Sequence, residues 1–166
     1  MKKINPAHLA AMMSLTNSCP YYRLLGMRIV ELGSGYSRVE MDVDMSKHGN
    51  PFGSVHGGAY ASLIDVAAYW AAYSDQAEDA GMTSLDLAVT NLSMCRGGKL
   101  TAHGKAVKEG RSVCLSEVTI TDDTGKLIAH GTSKLLMLNG RQSAADALRA
   151  AGRSEVPPKF LNSENE

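Results

Sequence analysis

The chain has 166 residues, and its 17 lysine and arginine residues balance its 17 aspartate and glutamate residues. That length suits one domain, and an apolar share of 44% suits a globular protein with a real core. A formal net charge of zero lacks the basic excess of nucleic-acid-binding proteins and leaves self-association unopposed by charge. No apolar run approaches the ~20 residues of a membrane span, and the opening Met1-Lys2-Lys3-Ile4-Asn5-Pro6 has no apolar block behind its lysines, unlike a signal peptide. Cys19, Cys95 and Cys114 match neither a disulfide framework nor a zinc pattern, so reduced thiols in a cytoplasmic protein are expected. His8, His48, His56, His103 and His130 show no ligand spacing with cysteine or acid, so no metal is expected.

In chain order, Pro6 to Asn17 has helical composition, with proline suited to a first turn. Tyr21 to Leu25 reads as a further short turn ended by Gly26. Met27 to Leu32 is read as a strand. Tyr36 to Met45 alternates, with Val39, Met41, Val43 and Met45 set against Arg38, Glu40, Asp42 and Asp44, and the pair predicts a hairpin around Gly33-Ser34-Gly35. His48 to Gly53 is loop. From Gly57 to about Gln76 an alanine-rich segment, apolar nearly all round, predicts a long helix buried on most sides. Four strands follow, about Thr83 to Cys95, Lys99 to Glu109, Ser112 to Asp122 and Leu127 to Leu138. The short turns between them predict antiparallel neighbours throughout, a four-stranded meander. Gln142 to Ala151 is a candidate last helix, and Ser154 to Glu166 an extended or mobile tail. A sheet with an apolar helix across one face is an α+β domain, with no internal repeat.

Asp65 is the one carboxylate between Gly57 and Ser74. A lone acid in an apolar helix costs stability, which points to use rather than accident. It follows Gly58 by seven residues, so it shares that residue's helix face about 10 Å further along. Gly57 and Gly58 let a ligand approach the free N–H groups of the first turn, where the helix dipole favours negative charge. An oxyanion site and a carboxylate on one helix suggest acyl transfer. Plainer roles stand beside these: an ion-paired Asp65, glycines that only allow tight packing, a capping His56, an Asx turn at Asn50, a strand-end Ser84, and solvated turn residues at Arg96, Lys99 and Arg111. Met12, Met13 and Met27 serve as core or as a flexible acyl wall. Tyr60, Leu63, Ile64, Tyr69 and Trp70 read as core, with the first three able to border such a pocket.

Asn50, His56-Gly57-Gly58, Asp65 and Ser84-Leu85-Asp86-Leu87, followed by Glu109-Gly110-Arg111-Ser112 and Thr124-Gly125-Lys126-Leu127-Ile128-Ala129-His130-Gly131, occur in this order. Over roughly Leu25 to Met137 the chain resembles the hotdog-fold acyl-CoA thioesterases, specifically the phenylacetate-degradation (PaaI-like) type. It departs from them at Arg96-Gly97-Gly98, where many relatives place a proline after the arginine. The resemblance implies an antiparallel sheet wrapped around one long central helix. The expected layout is an N-terminal helical segment over 1–26, the hotdog domain over 27–140 and a C-terminal helix and tail over 141–166.

By the same resemblance, Asp65 acts as nucleophile or as general base on water. Gly57, with Gly58, holds the thioester oxygen, His56 orients the carbonyl, and Asn50 hydrogen-bonds in the reaction centre. Ser84 orients the attacking water, with Thr83 its competitor one residue away. Arg96, Lys99 and Arg111 are the candidates for coenzyme A phosphates. Coenzyme A enters only as part of the substrate, with no other cofactor. A homodimer or dimer of dimers (a homotetramer) is implied, with Asn50, His56 and Gly57 of one subunit facing Asp65 and Ser84 of its neighbour. Two rival readings are an acyl-thioester dehydratase or hydratase on the same fold and a non-catalytic acyl-CoA-binding protein. Aromatic and aliphatic acyl groups are both compatible with this reading.

Overall fold

The structure, a computed structural model, describes residues 3–153 and 155–161. Helix α1 (Pro6–Asn17) is capped by the Asn5 side chain, which accepts from the Ala7 N–H. Helix α2 (Pro20–Leu25) ends at Gly26 in the left-handed conformation. Strands β1 (Met27–Gly33) and β2 (Tyr36–Asp42) form the expected hairpin. The alternation read as far as Met45 stops earlier, because Asp44 caps a short helix α3 (Met45–His48). Helix α4 (Gly57–Tyr73) is followed by β3 (Ala80–Asn91), β4 (Lys99–Lys108), β5 (Val113–Asp122), β6 (Leu127–Asn139) and α5 (Ala144–Ala150).

The six strands form one antiparallel sheet in the order β1-β2-β4-β5-β6-β3. The expected β3–β4 neighbours are therefore not formed. β4 pairs with β2 from Tyr36 opposite Lys105 to Asp42 opposite Lys99, and β3 pairs with β6 instead. The Arg96-Gly97-Gly98 segment is a crossover. Leu92 and Ser93 donate to the Ile128 carbonyl, and Cys95 accepts from the Val55 N–H. The chain thus passes beside the entry to α4 on its way from the sheet's edge to its centre.

The core lies between α4 and the sheet. Leu63, Ile64, Ala67 and Ala68 are fully buried, against Val39, Met41, Leu100, Val118, Ile120 and Leu135. Two strand glycines allow the close approach. A Cβ on Gly104 would collide with the Ala67 carbonyl and stand 2.6 Å from Ser37 Oγ, and one on Gly131 would stand 2.9 Å from the Ile64 side chain. Ser37, buried beneath the helix, donates to the Ala67 carbonyl at 2.6 Å. The terminal segments join this core through Leu9, Met12 and Leu15 of α1, Leu148 of α5, and Val156.

The C-terminal segment read as an extended or mobile tail is extended but docked over residues 155–161. Asn5 donates through its N–H to the Lys159 carbonyl and through Nδ2 to the Pro158 carbonyl, and Leu161 donates to the Lys3 carbonyl. Ser154 and 162–166 lie outside the described residues. Among the described residues the three cysteines are free, no cluster of metal-binding side chains occurs, and no helix is long and apolar enough to cross a membrane.

Candidate active site

Asp65 sits half-buried on the flank of α4 next to β3, beside Ala61, Ser62 and Tyr69. The sheet-facing positions Leu63, Ile64, Ala67 and Ala71 take the other side of the same helix, as a 3.6-residue period requires. Ser84 Oγ donates to Asp65 Oδ1 at 2.6 Å. The one-residue ambiguity with Thr83 is thus resolved geometrically: Ser84 is the residue on the Asp65 side of β3. No lysine or arginine pairs with Asp65 among the described residues. Its carboxylate lines a cavity of about 860 Å³ between α4 and the helices of the terminal segments.

At the other end of α4, His56 is the N-cap, and its Nδ1 accepts from the Gly58 N–H at 2.9 Å. That ties the ring to the first turn and occupies the Gly58 donor within the chain. The Gly57 N–H, an orphan of the helix start, has no acceptor among the described residues. Gly57 is also crowded from outside, since a Cβ there would stand 2.8 Å from Asn91 Nδ2.

Asn50 organises the loop that leads into the helix. Its Oδ1 accepts from the Phe52 N–H at 2.9 Å and the Ser54 N–H at 3.2 Å, and its Nδ2 donates to Ser54 Oγ at 2.8 Å. Two turns of this loop are joined by His48, whose carbonyl accepts from the His56 N–H at 2.7 Å.

The basic candidates separate. Arg96 is exposed on the crossover next to the His56 end, with Nη2 3.7 Å from Met94 Sδ. Lys99 Nζ is bound to Glu40 Oε2 at 3.1 Å across β2 and β4. Arg111 lies on the β4–β5 turn, where Ser112 accepts from the Met137 N–H and the neighbouring Glu109 faces Asp75, beyond the C-terminal end of α4. It is therefore at the opposite end of a 17-residue helix, about 25 Å from the Gly57 end.

Asn91 was not identified from the sequence, because a bulge between Ser84 and Asp86 shifts the alternation of β3 by one residue. Uninterrupted period-2 alternation would send Ser84 and Asn91 to opposite faces. With the bulge both come to the helix side, one beside Asp65 and the other beside Gly57.

The sequence matches the thioesterase superfamily over residues 52–129. The 1,4-dihydroxy-2-naphthoyl-CoA hydrolase of Listeria monocytogenes is 32% identical over 104 residues, 63% of this chain and 84% of that protein. A solved thioesterase structure from Haemophilus influenzae superimposes with a TM-score of 0.76 at 25% identity, covering 85% of this chain and 97% of that one. The E. coli PaaI protein of the phenylacetic acid degradation operon shares the fold, with a TM-score of 0.72 at 22% identity over 82% of this chain and 98% of its own. The chain belongs to the thioesterase superfamily. Its sheet and central helix are the hotdog fold that the resemblance implied, and the family's reaction is thioester hydrolysis.

Proposed function

We propose that this protein hydrolyses acyl-CoA thioesters in a site shared between two copies of the chain. One copy supplies the Asp65–Ser84 pair and the other the unpaired Gly57 N–H. The observation that carries this reading is a distance. Gly57 and Asp65 are eight residues apart on one helix, about 12 Å along its axis. A donor and a base acting on one carbonyl must both lie about 3 Å from it. One chain therefore holds both functions without being able to bring them together. The open edge of β3 is twelve residues long, with Leu85 and the following Leu92 and Met94 exposed. Such an edge favours pairing with a second copy, as a homodimer or within a dimer of dimers.

In the proposed reaction, Asp65 takes a proton from water held against Ser84, and the water oxygen attacks the thioester carbon. The oxygen that becomes negative is met by the Gly57 N–H at the positive end of the helix dipole. The C–S bond then breaks, and the thiolate leaves with the proton from Asp65, giving a free acid and coenzyme A. His56 orients the carbonyl from the cap position, and Asn50 holds the loop that presents it. Arg96, on the crossover at that mouth, is the group best placed for a coenzyme A phosphate.

The test is complementation. Gly57→Pro removes one N–H at a position where proline suits the helix start, the exposed Asn91 side chain turning away from the new Cβ. His56 already has the extended backbone, φ −69 and ψ 138, that a following proline requires. Gly57→Pro and Asp65→Asn homodimers are each expected to lose thiol release. Dissociated and reassociated together, they form mixed dimers with one intact shared site, restoring about a quarter of native activity. No restoration, in samples shown to exchange subunits, would refute the shared site. Water addition to an enoyl-CoA without thiol release would move the reading to a hydratase.

A further inference from the structure

We propose that the selectivity for the acyl group is set by the chain's terminal segments, and that they select a bulky apolar acyl group. This rests on hydrolysis at Asp65, because the acyl group is taken to be the occupant of the cavity that Asp65 lines. That cavity is about 860 Å³, near the upper end of the range that encloses a drug-sized molecule. An acetyl group would leave almost all of it filled with water against mostly apolar walls.

Most of the wall lies outside the segment that matches the family, 52–129. α4 contributes one side, with Val66, Tyr69 and Trp70 next to Asp65. α1 and α2 contribute Met12, Leu15, Tyr21 and Tyr22, and α5 borders the far side with Ala144, Ala147 and Ala150. Trp70 Nε1 donates to the Tyr22 hydroxyl at 3.1 Å, which fixes α2 to the central helix. At the mouth, the Tyr21 and Ser62 hydroxyls meet at 2.7 Å, one turn of α4 from Asp65.

α5 is held as a wall and not as a loose appendage. The turn before it presses on β3 at Gly81, where any Cβ would collide with the Arg141 and Gln142 carbonyls. Ser143 and Asp146 cap each other reciprocally at its start, and the half-buried Leu148 packs against the core. Beyond it, residues 155–161 are bonded to Lys3 and Asn5 and, through Pro157, to His8, which also meets the cavity-lining Tyr73 at 2.7 Å. The α5 alanines at 144, 147 and 150 share the face that borders the cavity. Their small side chains leave depth that a larger residue would remove.

Ala147→Phe tests this, with Ala145→Phe as its control on a position of the same helix that does not line the cavity. The readouts are thiol release from acetyl-, dodecanoyl- and 2-naphthoyl-CoA, and emission of Trp70, the chain's one tryptophan, on titration with S-dodecyl coenzyme A, a thioether that cannot be hydrolysed. In the native chain kcat/KM is expected to rise at least 100-fold from acetyl to the bulky esters, since each buried methylene is worth about fourfold. Ala147→Phe is expected to cut that ratio at least tenfold, mainly through KM, and to weaken the Trp70 response equally. Ala145→Phe should keep the native ratio.

Dodecanoyl and 2-naphthoyl esters separate an aliphatic from a fused-ring occupant of the same space. Equal losses on all esters, or a native ratio in Ala147→Phe, would overturn the proposal. So would a change of oligomer size confined to Ala147→Phe, which would assign the cavity to a second copy. A Trp70 response without hydrolysis of any ester would keep the pocket and remove the hydrolytic reading beneath it. Hydrolysis with no Trp70 response would do the reverse.

Discussion

The two ends of α4 face the same electrostatic problem and solve it in opposite ways. A helix leaves unpaired N–H groups at its start and unpaired carbonyls at its end, with the dipole positive at the first and negative at the second. At the start, His56 takes the Gly58 donor and nothing among the described residues takes that of Gly57. At the finish, Lys159 is brought in from 86 residues away, fully buried, to donate from Nζ to the Tyr73 carbonyl at 2.5 Å. Its ammonium also lies 3.9 Å from the centre of the Tyr73 ring. Around it, the Tyr73 hydroxyl donates to His8 Nε2, the His8 Nδ1–H donates to the Pro157 carbonyl, and Glu78 accepts from the Lys159 N–H. One end is closed by a cation of the chain itself. The other is left for a negative charge that arises only during reaction. Unsatisfied polarity in this helix is therefore allocated: stability at one end, chemistry at the other.

Breaking the open end should produce the largest effect, and it should be kinetic. Gly57→Pro is expected to lower kcat by about 10²–10³ while leaving the melting temperature within a degree or two, because the lost donor bonds nothing among the described residues and the Asn91 amide that the new Cβ displaces is exposed and swings aside. A matching fall in melting temperature would mean that the N–H is structural. Breaking the closed end should do the converse. Lys159→Ala leaves a void and leaves the Tyr73 carbonyl with only the long 3.3 Å bond from the Gln76 N–H, at a cost of about 2–4 kcal/mol. Thermal unfolding should register it as a loss of several degrees, with kcat on acetyl-CoA within twofold of native at 20 °C. A tenfold fall in kcat there would show that the two ends are not independent.

The closed end also predicts a pH dependence. Desolvation lowers the Lys159 ammonium to about 8, against the pull of Asp75, Glu78 and Glu109, while the unfolded chain keeps its proton to the ordinary lysine value of 10.5. Between pH 8 and 10 the unfolded state thus binds more protons. Stability rises with pH there, by at most ~1.4 kcal/mol per unit. Above pH 10 the sign reverses, because burial holds the Tyr22 and Tyr73 hydroxyls above their ordinary value and the native state keeps protons that the unfolded state loses. On the acid side burial lowers His8, so the unfolded chain takes up that proton first and stability falls below about pH 6.5. Denaturant midpoints for the native chain and Lys159→Met should differ in slope between pH 8 and 10, the variant being flatter. Parallel slopes would show that Lys159 is not desolvated.

These two ends differ in how far the sequence reveals them. The open end is local: Asn50, His56, Gly57, Gly58 and Asp65 fall within sixteen residues, and helical spacing alone places Asp65 relative to Gly58. The hairpin and the four later strands are equally legible, because each carries its own alternation and turn. The closed end joins Asn5, His8, Tyr73, Glu78 and Lys159 through long loop closures, and no periodicity connects residues so far apart. A proline pair and a polar end made that strap resemble an extended or mobile tail. The β3–β4 adjacency failed for a related reason. A short glycine-containing connection fits a hairpin, but β4 was already committed to β2, and strand order depends on all pairings together. Ser84 and Asn91 share a face only through a bulge, which the composition of β3 does not announce.

The smallest effect separates two roles within one residue. His56 is an exposed N-cap, so His56→Ala should cost about 0.5–1 kcal/mol of stability through the lost bond to the Gly58 N–H. Asparagine is a better cap than alanine and accepts the same bond, so His56→Asn should restore the melting temperature. Restored stability does not imply restored activity. An imidazole that only caps would be replaced in full, and kcat would recover with the melting temperature. An imidazole that also orients the thioester carbonyl would not be replaced, because the shorter amide reaches the Gly58 N–H but not beyond it. The expected outcome is recovery of stability alone, with kcat/KM of His56→Asn still at least tenfold below native. Recovery of both would reduce His56 to a cap and leave the open end of the helix with the Gly57 N–H as its single contribution to the chemistry.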